Sequence, residues 1–310
     1  MNRFIRLRLL AMLLCLPFLL IFISGCGSSS QKKDEPPVYS PLQVLVPEAT
    51  GKETLGSSPM ILDVSNISQG YFIAQSDSSD LTCSLQIISP SGVLYSYFIA
   101  PGESATVTFT EGSGDYTITG YQQVQGDQYA ALYSETVTVQ LENDFLPFLY
   151  PNQYVNFSPD SEASKLALSM VSENTSDIDA LKQIYNYVVN NLSYDYDKAE
   201  TVETGYLPDV DETLSTKTGI CFDYAALTTA MLRSCDIPCK LQIGYTGDIK
   251  HAWIDVYIRS KGWVTNAVSF NGDSWSLMDP TFDSSADSDD SEAIQDYIGN
   301  ADNYTVQFTR

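Results

Sequence analysis

Thr218-Gly219-Ile220-Cys221-Phe222-Asp223-Tyr224-Ala225-Ala226-Leu227, continuing to Arg233, is a run of helix-forming residues that opens on a glycine and a cysteine. It predicts a helix with Cys221 in its first turn. Unpaired backbone N–H groups at a helix start carry partial positive charge, which favours a thiolate. A nearby imidazolium favours it further and can draw a thiol from roughly 8.5 toward neutrality. Asp223, two residues on, opposes that shift. Alone, a cysteine at a helix start reads as structural, so a partner base has to decide the matter.

The chain contains a single histidine, in Lys250-His251-Ala252-Trp253-Ile254-Asp255-Val256-Tyr257-Ile258. The segment alternates as a strand: His251, Trp253, Asp255 and Tyr257 share one face, and Ala252, Ile254, Val256 and Ile258 share the other. A histidine acting as a general base needs an acceptor on its second nitrogen to fix tautomer and orientation. Asp255 is too far along the same strand, roughly 13 Å away at about 3.3 Å per residue. The acceptor must come from another strand. Trp275-Ser276-Leu277-Met278-Asp279-Pro280 predicts a short strand ended by proline, with Asp279 at its tip beside the start of the histidine strand. Asp279 is the first choice and Asp273 the second.

These residues, with Met231-Leu232-Arg233-Ser234, Ile237-Pro238, Gly244-Tyr245 and Met278-Asp279-Pro280-Thr281, resemble the transglutaminase-like (transglutaminase core) superfamily over residues 166–279. The run Tyr206-Leu207-Pro208-Asp209-Val210-Asp211-Glu212 and the ending Tyr297-Ile298-Gly299, Asn303-Tyr304 are similar to extracellular bacterial members with an N-terminal β-domain. The resemblance implies an α+β, papain-like core in which a helix bearing the thiol packs on an antiparallel sheet bearing the base. Cys221 would attack a carboxamide carbon of a protein or peptide substrate. His251 would move the proton, Asp279 would orient the imidazole, and an amine or water would resolve the thioester. The oxyanion would be met by the Cys221 N–H and one further donor. Tyr194 and Tyr224 are candidates for that donor, although core packing is the ordinary use of both. The competing class is a non-catalytic surface-binding lipoprotein that keeps this core as a scaffold.

Residues 60–145 are dense in Val, Ile, Thr, Tyr and Phe and are broken by Ser91-Gly92, Pro101-Gly102 and Ser113-Gly114. Tyr116-Thr117-Ile118-Thr119 and Thr136-Val137-Thr138-Val139 alternate as half-buried strands do, so a small β-sandwich is expected ahead of the cysteine core. Pro147, Pro151 and Pro159 break the strand pattern and begin the second domain, 146–310. Ile178, Leu181, Ile184, Tyr185, Val188 and Val189 then recur at helical spacing, with Ser176 and Asp179 placed as an N-cap pair.

The first residues read as a lipoprotein signal peptide, 1–25: Arg3, Arg6 and Arg8, then the apolar run Leu9 to Ile23. Ile23-Ser24-Gly25-Cys26 resembles the bacterial lipobox and implies a lipid on Cys26, which predicts an extracytoplasmic protein tied to the cell membrane. Residues 26–59, rich in Gly, Ser and Pro, predict a flexible linker.

At 310 residues and 44% hydrophobic composition, two buried cores are within reach. The net charge of −23 sets the surface against phosphate backbones, and nucleic acid is not an expected partner. Outside the leader, Cys83, Cys221, Cys235 and Cys239 are too few for a disulfide scaffold. Cys235 and Cys239 stand close enough for a bridge, but Pro238 ends the helix between them and small buried thiols are the plainer reading. Two thiols and one histidine fall short of a zinc set, and neither metal nor cofactor is expected.

Overall fold

A computed structural model describes residues 34–270, 275–277 and 304–310, and Gln31–Arg310 cluster as one compact unit. The N-terminal part is all strand: β1 (Thr54–Ser57), β2 (Met60–Asp63), β3 (Tyr71–Ser76), β4 (Cys83–Ile88), β5 (Leu94–Ile99), β6 (Ser104–Thr108), β7 (Gly114–Gln125) and β8 (Gln128–Val139). They form two four-stranded antiparallel sheets, ordered β1-β2-β3-β6 and β5-β4-β7-β8. Alternation decides which side chains fill the space between them. Met60, Leu62, Phe72 and Ala74 from one sheet meet Leu85, Ile87, Tyr97, Ile118 and Val137 from the other in a single core, the sandwich expected of these strands.

Helices dominate next: α1 (Glu162–Met170), α2 (Asp177–Asn191), a short strand β9 (Ser193–Tyr194), α3 (Tyr196–Thr201), α4 (Val210–Thr216), β10 (Thr218–Gly219) and α5 (Cys221–Arg233). Ser176 caps α2 by accepting from the Asp179 N–H, and Ala180, Leu181, Ile184 and Val188 are its buried face. Strands β11 (Cys239–Thr246), β12 (Ile249–Ile258), β13 (Gly262–Phe270), β14 (Trp275–Leu277) and β15 (Tyr304–Thr309) follow. They make one sheet in the order β14-β13-β12-β11-β15.

Helix α5 is the hub. From Asp223 to Arg233 every residue is buried, as a helix enclosed on all sides requires. Leu227, Ala230, Met231 and Leu232 share a core with Leu241, Ala252, Ile254, Val256 and Ile258 of the sheet and with Leu181, Ile184 and Val188 of α2. Arg233, wholly buried, faces no carboxylate among its hydrogen bonds. It donates to the carbonyls of Cys239, Tyr150 and Arg310, which ties α5 to β11, to the connection after the sandwich and to the end of β15. Burial draws its guanidinium down to about 10, still charged at neutral pH. Arg310, at the end of β15, sets its own guanidinium against the rings of Tyr95, Tyr97, Tyr154 and Phe308, at 4.1 to 5.3 Å. It joins the sheet to the sandwich by cation–π contact.

One expectation needs correction. The linker predicted for residues 26–59 is packed in part. Val44 joins the core around α5, Leu45 joins a cluster with Tyr71 and Tyr150, and β1 lies within the same span. Neighbouring residues of an extended chain face opposite ways, so Val44 and Leu45 can serve two cores at once. In the sheet β13 lies between β12 and β14: Val268 stands opposite Ile254 on one side and Leu277 on the other. Cys235 and Cys239 are free, buried thiols.

Candidate active site

Ile220 is the N-cap of α5 and Cys221 its first residue. Asp223 occupies the third helical position, where its carboxylate reaches back to accept the Ile220 N–H at 2.8 Å. That is one half of a capping box, and it sets how the helix begins. The turn fits only because residue 219 is glycine: a Cβ there would lie 2.6 Å from Asp223 Cβ and 2.9 Å from its Oδ2.

A parallel pairing of β9 with β10 sets Tyr194 opposite Gly219, two residues before the thiol. The Tyr194 hydroxyl consequently meets Cys221 at two points, accepting from its backbone N–H and donating to its sulfur. The sulfur also accepts from the backbone N–H groups of Ala252 and Phe222. Ala252 follows His251 directly in β12, so the imidazole is carried one residue, about 3.8 Å between Cα atoms, from a donor to the thiol. The His251 ring stacks on Trp253 at 6.1 Å, the two sharing a strand face as the alternation requires. Trp253 in turn packs on Tyr304 of β15 at 5.1 Å.

Electrostatics differ from the sequence expectation. Burial is the largest influence on Cys221 and pushes the thiol up; Asp223 adds to it, and the three donors at the sulfur oppose it without reversing it. Burial also pulls His251 down to about 4. In this structure, then, both groups rest in their neutral forms. The helix start supplies donors as expected, but desolvation of the half-buried thiol outweighs them.

Around Asp223 the fold assembles a cluster that no local sequence pattern marks. Lys198 Nζ donates to Asp223 Oδ2 at 2.8 Å and to the Tyr206 hydroxyl at 2.7 Å, and Tyr206 donates to Asp223 Oδ1. The signal available was the acid at the third helical position, which points back toward the thiol. Its partners lie 25 and 17 residues upstream, beyond any local pattern. Cys26, Asp273 and Asp279 lie outside the described residues. No group of three or more His, Cys, Asp and Glu side chains placed to hold a metal occurs among the described residues, and no helix among them is long and apolar enough to cross a membrane.

A buried helix that opens on a cysteine and packs against an antiparallel sheet bearing a histidine is the core of a cysteine-centred α+β fold. Residues 164–280 match the family described as the transglutaminase-like superfamily, and the chain carries a transglutaminase-like domain there. Curated relatives match in part. UPF0252 protein MJ1282 of Methanocaldococcus jannaschii is 40% identical over 62 residues, covering 18% of this chain and 18% of that protein. The uncharacterized protein YebA of Bacillus subtilis is 25% identical over 175 residues, covering 49% of this chain and 23% of its own length. The chain thus spans less than a quarter of either relative. Among solved structures, a Cytophaga hutchinsonii protein provisionally described as a cysteine protease is similar at 15% identity. The likeness covers 83% of this chain and 84% of that one, with a TM-score of 0.35.

Proposed function

We propose that this protein is a cysteine acyl-transfer enzyme acting on protein or peptide carboxamides, with Cys221 as nucleophile, His251 as base and Asp279 as the acceptor that orients the imidazole. The observation that carries the reading is the Ala252 N–H donated to the Cys221 sulfur, which sets the thiol next to the strand bearing the only histidine. The sulfur attacks the carboxamide carbon while its proton passes to His251, forming the S–C bond and an oxyanion. The Cys221 N–H and the Tyr194 hydroxyl are the two donors for that oxyanion, since they already converge on one another. The C–N bond then breaks, the imidazolium returns its proton to the leaving nitrogen, and a thioester remains. Water resolves it to an acid, or a primary amine resolves it to a new amide.

Because both groups rest neutral, deprotonation accompanies attack instead of preceding it. An Asp279 carboxylate on the second imidazole nitrogen would raise the basicity that burial lowers. The same neutrality favours a second reading, a binding scaffold without chemistry. The two separate when wild type and Cys221→Ala are given a glutamine-rich protein and a labelled primary amine. Amine incorporation marks a transferase, ammonia alone a deamidase, and new N-termini a protease; equality of wild type and variant throughout leaves the scaffold.

We further infer that a lipid on Cys26 holds the protein at an extracytoplasmic membrane surface, on the strength of the lipobox-like sequence. Detergent-phase partitioning of the wild type, lost in Cys26→Ser, tests it. Aqueous partitioning of the wild type would refute it.

A further inference from the structure

The ion pair behind the nucleophile, a buried Asp223 with a half-buried Lys198, has no part in that reaction. Asp223 is fully buried, two residues from Cys221, at the helix end whose N–H groups would stabilise a thiolate. An unbalanced carboxylate there acts directly against ionisation of the sulfur. A neutral acceptor would cap Ile220 as well, so the cap alone does not call for a charge.

We propose that Lys198 is a positioning residue for the nucleophile: paired with Asp223, it keeps the first turn of α5 free of net negative charge, so that the Cys221 sulfur can take up charge as it attacks. The inference rests on the reading of Cys221 as nucleophile. Two residues hold the Lys198 ammonium. Lys198 Nζ lies 2.8 Å from Asp223 Oδ2 and 4.4 Å from the centroid of the Tyr206 ring, which it also meets through the hydroxyl. The Lys198 backbone is fixed in turn, its N–H donated to the α3 cap Asp195 at 2.8 Å. Residues 194–198 therefore present two groups to the start of α5 from a single stretch of chain, the Tyr194 hydroxyl to Cys221 and the Lys198 ammonium to Asp223.

The pair also explains the state of its members. Burial works against the Lys198 charge, but the bonds to Asp223 and Tyr206 outweigh it and its pKa lies above the ordinary value. Tyr206 is pushed up to about 12, first by burial and then by its bond to Asp223. Tyr194 reaches about 12, with burial again first. Among the described residues, the side chains that act on the thiol are thus neutral Tyr194 from β9 and Asp223 from α5, the latter backed by Lys198 from α3 and neutral Tyr206. Within this set Lys198 alone brings positive charge to offset Asp223 at neutral pH.

The test is the pH dependence of iodoacetamide alkylation at Cys221, read by peptide mass mapping on the full chain. Wild type is compared with Lys198→Met, Lys198→Arg, Asp223→Asn and the Lys198→Met/Asp223→Asn double variant. Lys198→Met should raise the midpoint by about one pH unit or more, Lys198→Arg should hold it, Asp223→Asn should lower it, and the double variant should return it to the wild-type position. A purely structural pair predicts no such ladder. If Lys198→Met unfolds, as circular dichroism would report, Asp223→Asn and the double variant still decide, because neither leaves a buried carboxylate unpaired. An unchanged midpoint in Asp223→Asn, or a double variant displaced from wild type, overturns the proposal. Alkylation needs no turnover, so an intact ladder with no acyl transfer refutes the proposed function and spares this inference.

Discussion

The sulfur of Cys221 accepts a hydrogen bond from the backbone N–H of Ala252, the residue after the only histidine in the chain. Two residues 31 apart in sequence meet there, one at the start of a buried helix and the other near the start of a sheet strand. The Tyr194 contact at the thiol depends on the short β9–β10 pairing, which sets Tyr194 opposite Gly219.

Tyr194 separates the roles of the backbone and of a side chain at the oxyanion. Tyr194→Phe removes one donor and keeps the ring packing against Tyr196 at 5.0 Å. Loss of one oxyanion donor lowers kcat by about a hundredfold or more and leaves KM nearly untouched. Steady-state kinetics on the substrate found by the amine-incorporation assay checks this. A change confined to KM would place Tyr194 in substrate binding instead.

Asp279 and Asp273 stand as alternative orienters of His251. Asp279→Asn keeps the size of the side chain but removes its charge, and is expected to reduce kcat by about three to four orders of magnitude. Asp273→Asn is expected to stay within a few-fold of wild type. The reverse ranking of the two variants would transfer the role to Asp273.

Much of this was legible in the sequence, and the gaps have physical causes. The helix beginning at Cys221, the alternation around His251 and the sandwich strands rest on local periodicity, and each is found where its pattern placed it. Packing of Val44 and Leu45 was missed because composition describes a tether by its Gly, Ser and Pro and ignores two apolar residues that find separate cores. The place of β13 between β12 and β14 follows from hairpin pairing, which strand patterns do not order. Lys198 and Tyr206 reach Asp223 only through tertiary structure, as does the desolvation that leaves the thiol neutral.

Two buried groups make stability depend on pH in opposite senses. His251 falls to about 4 in the fold from an ordinary 6.5, so the unfolded chain takes up its proton first and stability declines as pH drops from 6.5 to 4. Asp236, desolvated beside Arg259, rises to about 7 from 3.8, so the folded chain takes up its proton first and stability is lost as pH rises through 7. Asp236 has a φ of 58°, which Asn tolerates. Asp236→Asn is therefore expected to stabilise at pH 8 by on the order of 2 kcal/mol and to have little effect at pH 4. Denaturant melts at the two pH values measure it, and an equal effect at both would remove Asp236 from the account.

Gly219→Ala tests the close approach that starts the nucleophile helix. The added methyl meets the Asp223 side chain at 2.6 Å, and relief requires Asp223 or the β10 backbone to move. A loss of about 1 to 3 kcal/mol is expected in urea unfolding, together with slower alkylation of Cys221. Unchanged stability would show that the turn has room the structure does not suggest.

Whether Cys221 carries the acyl group is measured by rapid acid quench of the protein mixed with a glutaminyl peptide, followed by mass mapping of the peptide containing residue 221. A mass increase equal to the acyl fragment is expected on Cys221, cleared by added primary amine and absent from Cys221→Ala and His251→Ala. Product release by Cys221→Ala at the wild-type rate, with no adduct on the wild-type thiol, would contradict it.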